Sequence, residues 1–396
     1  MENIYLDHSA TTYTDRAVLD EMLPYFTDVF GNGSSQHKAG RDALKAIDRA
    51  REQVAKAIGC APSEVYFTSG GSESDNWAIK GVAHMYKDKG NHIITSVIEH
   101  PAVIQTCKKL EKEGFEVTYL PVDNQGFISL EDLERAITDK TILISIMFAN
   151  NEMGAIQPIS EIGQIAKAHK VYFHTDAVQA VGNVPIDVKA MNIDMLSMSG
   201  HKFYGPKGVG VLYKRNGIRI DRFMDGGEQE RNMRAGTLNT PGIVGLGKAI
   251  EIATSNIQEN NAKIAKLRDY FVEQVQSKID HIYFNGPKDM TKRLASNASF
   301  SFEFVEGESI LMLLDMEGIR VSSGSACSSG SLEPSYVMLS IGVPIEVAHG
   351  TIRFSFGKAN TMEQTQFVID KLVAIIDRLR DMSPLFKQIK GEDIYV

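Results

Sequence analysis

A lysine in a glycine-rich run is the residue of this sequence best suited to covalent chemistry. Lys202 stands in the run SGHKFYGPKG at residues 199–208, directly after an apolar stretch that predicts a strand. A lysine amine can form an imine with an aldehyde cofactor when its neighbours keep it available as a nucleophile and base. When a glycine-rich run of this kind occurs without other motifs, its lysine is more often a solvated loop residue. The motifs that accompany it favour the cofactor.

Two polar residues follow other predicted strands. Asp176 comes just after the strand predicted at 171–174, and sheets of parallel strands place ligand sites at the carboxyl ends of their strands. A carboxylate there can keep a pyridine nitrogen protonated, so that the ring accepts electrons; a helix N-cap is the alternative. His100 follows a further strand, and an imidazole can stack on a planar ring and move protons. Capping of the helix that begins at Pro101 is an equally good interpretation of His100.

A glycine turn joins one more predicted strand to a helix. We name residues 68–74, with the sequence TSGGSES, the phosphate turn. Glycines, hydroxyl groups and the unpaired N–H groups of a helix start make a cradle for an anion. The turn lacks the lysine of a nucleotide-binding P-loop, and it predicts a phosphate site of a different kind.

One of the three cysteines has an unusual setting. Cys327 lies in SSGSACSSGS at 322–331, a run of small polar residues that is typical of an exposed, mobile loop. A structural cysteine is expected among apolar neighbours. Cys327 is therefore predicted to be a reactive thiol, whereas Cys60 and Cys107, in helix-like apolar settings, are predicted to be inert.

Alternating strands and helices must position these residues. Short apolar runs alternate with amphipathic stretches such as 161–169 between about residues 60 and 215. The strands are predicted at 65–68, 92–95, 117–120, 142–148, 171–174, 195–198 and 209–213. Near-continuous apolar strands separated by helices predict a mostly parallel sheet with helices on both faces.

The pattern changes after about residue 258. Strict alternation of apolar and polar residues at 299–304 and 352–356 predicts strands with one buried face. Helices are predicted at 261–278, 308–316 and 362–379. We therefore expect a large domain over 13–258 and a smaller α+β domain over 259–396, with residues 1–12 packing beside the latter.

Composition excludes several classes of protein. The 396 residues are 43% apolar and 23% charged, with a net charge of −8 and no basic tract, which disfavours nucleic-acid binding. No stretch approaches the roughly 18 uncharged apolar residues of a membrane span. The N-terminus lacks the pattern of a signal peptide, so a cytoplasmic location is expected. Three cysteines without zinc-like spacing predict neither a disulfide framework nor a structural metal.

Taken together, the motifs resemble the cysteine desulfurases of the NifS/IscS type, which are class V, fold-type I enzymes dependent on pyridoxal 5′-phosphate (PLP). The resemblance runs from YLDHSATT at 5–12 to Arg353, and it includes NNEMG at 150–154 and MRAGT at 233–237. It implies a seven-stranded large domain, a homodimer, and conversion of L-cysteine to L-alanine. The sulfur would pass as a persulfide on Cys327 to an iron–sulfur scaffold or another acceptor protein.

The same resemblance implies a role for each matching residue. Lys202 would bind PLP covalently, Asp176 would contact the ring nitrogen, and Gln179 the ring hydroxyl. His100 would stack on the ring and shuttle protons. The phosphate would be held by Gly71, Ser72, Ser199 and His201, together with Thr237 of the partner subunit. Asn151 would contact cofactor and substrate, and Arg353 would pair with the substrate carboxylate. Cys327 would accept the sulfur, with a transient iron–sulfur cluster contact as its one conceivable link to metal.

The sequence departs from the family in two places and leaves rival functions open. Ser72 replaces a common threonine and keeps the hydroxyl, whereas the effect of Asp7-His8-Ser9 in place of a more common polar set is open. A selenocysteine lyase or an aminotransferase could use the same fold, and a catalytically silent scaffold could retain it. Cys327 argues against an aminotransferase, because that reaction needs no mobile thiol. Intact catalytic motifs argue against a silent scaffold.

Overall fold

A seven-stranded sheet spans the chain from residue 65 to residue 214. The computed structural model describes residues 3–323 and 333–390. The sheet has the order β2-β8-β7-β6-β5-β3-β4, and only β8 runs antiparallel to its neighbours. All seven predicted strands are confirmed, although the one predicted over 142–148 ends at Ser145. The strands are β2 (Val65–Thr68), β3 (His92–Ser96), β4 (Glu116–Leu120), β5 (Thr141–Ser145), β6 (Tyr172–Asp176), β7 (Met195–Ser199) and β8 (Gly210–Lys214).

Helices cover both faces of this sheet. Ile144 and Phe173 belong to one apolar core and Leu143 and Met195 to another, because successive strand residues point to opposite faces. This burial of both faces explains why the strands are apolar throughout. The helices in this part of the chain are α1 (Arg16–Met22), α2 (Pro24–Thr27), α3 (Lys38–Ile58), α4 (Gly71–Tyr86), α5 (Pro101–Glu111), α6 (Leu130–Ala136), α7 (Ile159–His169), the single turn α8 (Gln229–Asn232) and α9 (Thr240–Ser255).

A smaller antiparallel sheet follows, in the order β12-β13-β10-β9. Its strands are β9 (Ile282–Phe284), β10 (Asn297–Phe302), β12 (Ser322–Ser323) and β13 (Thr351–Ser355), while β1 (Ile4–Tyr5) and β11 (Ile319–Arg320) form a parallel pair. Its helices are α10 (Ile257–Lys278), α11 (Gly307–Met316), α12 (Tyr336–Ser340), α13 (Ile345–Ala348), α14 (Met362–Met382) and α15 (Pro384–Lys390). Aromatic packing supports this sheet, since the ring centroids of Phe271 and Phe354 are 4.7 Å apart.

The prediction that strands β10 and β13 have one buried face is wrong, because every residue of both strands is buried. Their polar side chains bond to one another and to covering segments instead of facing water. Ser301 Oγ and Thr351 Oγ1 are 2.6 Å apart, and Asn285 Nδ2 donates to Ser301 Oγ at 2.8 Å. These hydrogen bonds lower the cost of burying a polar face.

The described residues contain no helix with the length and apolar character needed to cross a membrane. The start of the chain is hydrogen-bonded to β11 and to β13. Leu6 N donates to Arg320 O at 2.8 Å and Ser355 N donates to Leu6 O at 2.7 Å. We name residues 7–12, which follow these bonds, the N-terminal segment.

Candidate active site

A cavity of about 270 Å³ lies where the loops after β2, β3, β5, β6 and β7 converge. Strands β2, β3, β5, β6 and β7 run parallel, so their carboxyl ends meet at one edge of the sheet. The N-terminal segment and β13 close the cavity from the other side. The predicted site residues that border it are Gly71, Ser72, His100, Asn151, Asp176, Gln179, Ser199, His201, Lys202 and Arg353. Thr237 is exposed outside the cavity, and Cys327 lies outside the described residues.

Lys202 reaches the cavity from a tight turn after β7. The turn is compact because Gly205 lies against Gly200, where a Cβ on Gly205 would come within 2.8 Å of the Gly200 carbonyl oxygen. Lys202 Nζ donates to the carbonyl oxygens of Ser9 and Ala10, at 2.6 and 2.7 Å. The amine therefore contacts the N-terminal segment directly.

Asp176 ends β6 with its carboxylate inside the cavity. It is 6% exposed, and its Oδ1 accepts a hydrogen bond from Val178 N at 2.9 Å. No helix begins at this point, so the alternative of a helix N-cap is wrong and the carboxylate stabilises a turn. Burial raises the pKa of Asp176, while nearby His100 and Lys202 favour its ionised form.

His100 caps a helix and also borders the cavity. Its Nδ1 accepts from Ala102 N at 3.1 Å and so caps α5, while its ring borders the cavity. Burial lowers the pKa of His100, which makes the imidazole neutral near pH 7. A neutral ring with an unprotonated Nδ1 carries its hydrogen on Nε2.

The phosphate turn begins α4, and its glycines are required by close packing. Gly70 has φ of +158°. A Cβ on Gly71 would lie 2.5 Å from Val178 Cγ2, and one on Gly210 would lie 2.6 Å from Gly70 Cα. Larger residues would push the helix start away from the loop after β6 and from β8. Gly71 and Ser72, in the first turn of this 16-residue helix, border the cavity beside Lys202, and the N–H groups of a helix start favour an anion.

Two neutral or neutralised side chains border the cradle. Burial lowers the pKa of His201 to about 4, so the ring is uncharged, and its Nδ1 lies 3.0 Å from Thr11 Oγ1. Glu73 on the first turn of α4 pairs with Arg234, with Nε and Oε1 2.8 Å apart. This pair ties the phosphate turn to the loop that carries Thr237.

Arg353 is the buried cation of the cavity. It is 3% exposed; its Nη2 donates to Asp7 Oδ1 at 2.9 Å and its Nη1 to the Asn151 carbonyl oxygen at 3.0 Å. Its Nε is buried and has no hydrogen-bond partner within the described ranges. Nearby, Ser335 Oγ donates to Glu152 at 2.5 Å, and burial raises the pKa of Glu152 to about 7.

Two further buried carboxyl groups were not predicted from the sequence. Asp75 borders the cavity at 1% exposure, and its Oδ1 lies 3.6 Å from His174 Nε2. Burial and then the neighbouring Asp176 raise the pKa of Asp75 well above its usual value. Burial raises the pKa of Glu99 to about 8. The position of Asp75, four residues after Gly71 and so on the same side of the helix, was the available signal.

The remaining predicted residues are also placed. Gln179 Nε2 donates to the Ser9 carbonyl oxygen at 3.0 Å. Burial raises the pKa values of Cys60 and Cys107 to about 12, so both are thiols at neutral pH. The part of the chain that the structure describes holds no group of three or more His, Cys, Asp or Glu residues placed to bind a metal ion.

A turn with left-handed backbone angles lies next to β2, the strand that leads into the phosphate turn. Glu230, Arg231 and Asn232 have φ values of +46°, +58° and +63°, in the left-handed region that such side chains seldom adopt. The buried carboxylate of Glu230 accepts from Arg51 Nη1 and Nη2 at 3.0 and 2.7 Å and from Phe67 N at 2.8 Å. The ion pair thus joins the turn to α3 and to the strand that leads into the phosphate turn.

Comparison with known proteins identifies the class and then the family. Residues 4–368 match the family model described as Aminotransferase class-V, whose members are PLP enzymes. Among curated relatives, a cysteine desulfurase IscS from Clostridium botulinum strain Hall is 57% identical over 386 residues, which covers 98% of this chain and 97% of the relative. One from Methanosarcina thermophila is 56% identical, with 96% and 94% covered. The chain therefore belongs to the cysteine desulfurases within the class-V aminotransferases.

Solved structures agree with this assignment. A NifS-like protein superposes with a TM-score of 0.90 at 38% identity and covers 95% of this chain and all of that one. The protein SspA, solved in complex with cysteine, superposes with a TM-score of 0.80 at 39% identity, with 90% of this chain and 100% of that one covered.

Proposed function

We propose that this chain converts L-cysteine to L-alanine with bound PLP and passes the sulfur, as a persulfide on Cys327, to an acceptor protein for iron–sulfur cluster assembly. The observation that carries the proposal is the arrangement around one cavity of an amine, a buried carboxylate and a buried guanidinium, from Lys202, Asp176 and Arg353. Family membership and a relative solved with cysteine support the substrate.

The residues around the cavity fit PLP. The anion cradle of the phosphate turn suits the phosphate group, and Asp176, whose other contacts are to one backbone N–H and nearby bases, suits the ring nitrogen. Gly71 lets the helix start pack closely against the cavity wall, since a Cβ there would lie 2.5 Å from Val178 Cγ2. Lys202 would bind the aldehyde, with Gln179, Ser199 and His201 at the rim. When bound, PLP supplies an electron sink that acidifies the Cα–H of an attached amino acid.

The side chains of the chain itself would hold the substrate and move its protons. Arg353 would bind the α-carboxylate, with Asn151 beside it. The Lys202 amine would leave its hydrogen bonds to the carbonyl oxygens of Ser9 and Ala10. It would then act as the general base that removes the Cα proton of the substrate. Neutral His100, at the edge of the same cavity, would accept a proton from a thiol at Nδ1 once that atom releases its hydrogen bond from Ala102 N, and would then return the proton.

The sulfur step would need Cys327 as its thiolate. A bond forms between the Cys327 sulfur and the substrate sulfur, and the substrate Cβ–S bond breaks. The electron pair of the broken bond stays with the carbon skeleton, which takes up a proton and leaves as alanine. The outer persulfide sulfur is then available to a thiol of the acceptor.

A single-turnover experiment tests the proposal. Purified holoenzyme is mixed with one equivalent of ³⁵S-cysteine, and alanine release and the labelled peptide are measured by chromatography and mass spectrometry. The label is expected on the peptide containing Cys327, and Cys327→Ala is expected to retain bound cofactor but release little alanine. Cys60→Ala is the matched control and is expected to behave as wild type. Label on Cys60 or Cys107, or undiminished alanine from Cys327→Ala, would show that the mechanism is wrong.

A further inference from the structure

The three nitrogen atoms of the Arg353 guanidinium differ in their hydrogen bonds. Asp7 holds Nη2 and the Asn151 carbonyl holds Nη1, whereas Nε is buried without a partner within the described ranges. A buried N–H without an acceptor is unfavourable in a finished structure. Because Arg353 borders the cavity, its Nε–H is suited to donate a hydrogen bond to a ligand carboxylate.

Asp7 is held in place independently of Arg353. The next two residues bond to β13, since His8 Nδ1 lies 2.9 Å from the Ser355 carbonyl oxygen and Ser9 N donates to Ser355 Oγ at 2.9 Å. The His8 ring packs on Gly357, where a Cβ would come within 2.2 Å of His8 Nε2. The backbone of Asp7 is therefore held beside Arg353 by the same segment that contacts Lys202.

We propose that Asp7 is a positioning residue that shares Arg353 with the substrate: it stays on Nη2 and directs the substrate carboxylate to the Nε side. This inference rests on the proposed function only in assuming that Arg353 receives the substrate carboxylate. Without a ligand, Asp7 supplies the counter-charge that a buried arginine requires. With a ligand, two carboxylates face one guanidinium, and their repulsion weakens the binding of substrate and of product alanine alike.

This arrangement has a mechanistic consequence. Binding energy that acts equally on the ground state and the transition state does not increase kcat. Because the Asp7 carboxylate weakens the binding of every amino acid carboxylate to Arg353, it favours the release of alanine. The unusual residues His8 and Ser9 then have a definite task, because their bonds to Ser355 keep Asp7 at this position.

The test measures ligand affinity in the holoenzyme. The probe is 3-mercaptopropionate, which has the thiol and carboxylate of cysteine but lacks the amine, and its dissociation constant is measured by isothermal titration calorimetry. Asp7→Asn keeps an oxygen that can accept from Arg353 Nη2 but removes the charge. It is expected to bind the probe about tenfold more tightly than wild type. A purely structural role for Asp7 predicts the opposite, since damage to the site weakens binding.

Three controls make the outcome decisive. Asp15→Asn removes an equivalent charge from the Asp15–Lys358 pair outside the cavity and is expected to leave the dissociation constant unchanged. 2-Mercaptoethanol, without a carboxylate, is expected to bind equally to wild type and Asp7→Asn. Arg353→Ala is expected to lose affinity for the probe. An Asp7→Asn affinity equal to or weaker than wild type, with Arg353→Ala weakened, overturns the inference alone; an unchanged Arg353→Ala overturns the substrate role of Arg353 in the proposed function.

A measurement on the wild-type protein covers the case in which Asp7→Asn fails to fold. In protein labelled with ¹⁵N-arginine, the Nε–H resonance of Arg353, assigned with Arg353→Lys, is expected to shift when 3-mercaptopropionate is added. An unshifted Nε–H resonance at saturating probe would overturn the inference.

Discussion

Replacement of Glu230 by alanine tests whether a single carboxylate holds the strained turn behind the phosphate turn. Glu230 is buried and accepts three hydrogen bonds, two from Arg51 and one from Phe67 N. Truncation leaves a guanidinium and a backbone N–H in the core without that acceptor. Because Phe67 directly precedes the phosphate turn, we expect loss of both stability and cofactor retention.

The size of the effect follows from the contacts. Removing one partner of a buried ion pair costs about 3–5 kcal/mol. Two features reduce this value: Arg51 keeps its bond to the Val65 carbonyl oxygen and its place over the Phe67 ring, and release of the left-handed Glu230 and Arg231 returns about 1 kcal/mol each. The expected loss in free energy of unfolding is therefore about 2 kcal/mol.

The assay uses the only tryptophan of the chain. Trp77 is buried on α4, so its fluorescence during urea unfolding follows the large sheet. Glu228→Ala, at an exposed position two residues earlier, is the matched control and is expected to change stability by less than about 0.5 kcal/mol. A loss below about 1 kcal/mol in Glu230→Ala, or an equal loss in the control, would refute the reasoning.

Four other outcomes are expected. Lys202→Ala should lose the visible absorbance of lysine-bound cofactor and all alanine production, and residual turnover would reject its assignment. Asp176→Ala should retain cofactor loosely and lose about 10²–10³ in kcat, because the ring nitrogen loses its counter-charge; a near wild-type rate would contradict this role. The chain should sediment as a homodimer, and Thr237→Ala should weaken cofactor retention through the partner site; an active monomer at assay concentration would exclude this arrangement. Glu99→Gln should gain stability over wild type as pH rises from about 5 to about 8, by up to about 1.4 kcal/mol per unit. Over this range the buried acid, with a folded pKa of about 8, stays protonated in the folded wild type, whereas the same carboxyl ionises in the unfolded chain and so favours unfolding; parallel pH profiles would disprove burial as the cause.

The strands of the large sheet were predictable because burial on both faces leaves a direct mark in the sequence. Residues such as Ile93, Leu143 and Phe173 stand in uninterrupted apolar runs that end at polar turns. The residues around the cavity were predictable for a related reason, because the carboxyl ends of parallel strands must converge. His100 shows the limit of this reasoning, since it caps α5 and borders the cavity as well, so the helix cap does not exclude the predicted role in the site.

Features that depend on distant partners could not be predicted. The alternating sequence of β10 and β13 shows which side chains are polar, but it does not show whether they are exposed to solvent. Ser301 is polar and yet buried, because its hydrogen-bond partner comes from 50 residues away. Charged residues within helices usually predict a solvated surface, so Arg51 gave no sign of burial. The Arg51–Glu230 pair joins residues 179 positions apart, which no local pattern reveals.

The bond between Asp7 and Arg353 also has a consequence for biosynthesis. The two residues are separated by 346 positions, so at 5–20 residues per second the ribosome adds Arg353 roughly 20–70 seconds after Asp7. During that interval the first residues to emerge have no strand β13 to dock on, and the cavity lacks one wall. Nascent chains arrested before β13 are therefore expected to retain no cofactor even when β2 to β8 have been translated, which affinity capture of stalled ribosomes followed by cofactor assay would show. Maturation of the site would then coincide with the last stage of translation, and cofactor would be captured by nearly complete chains.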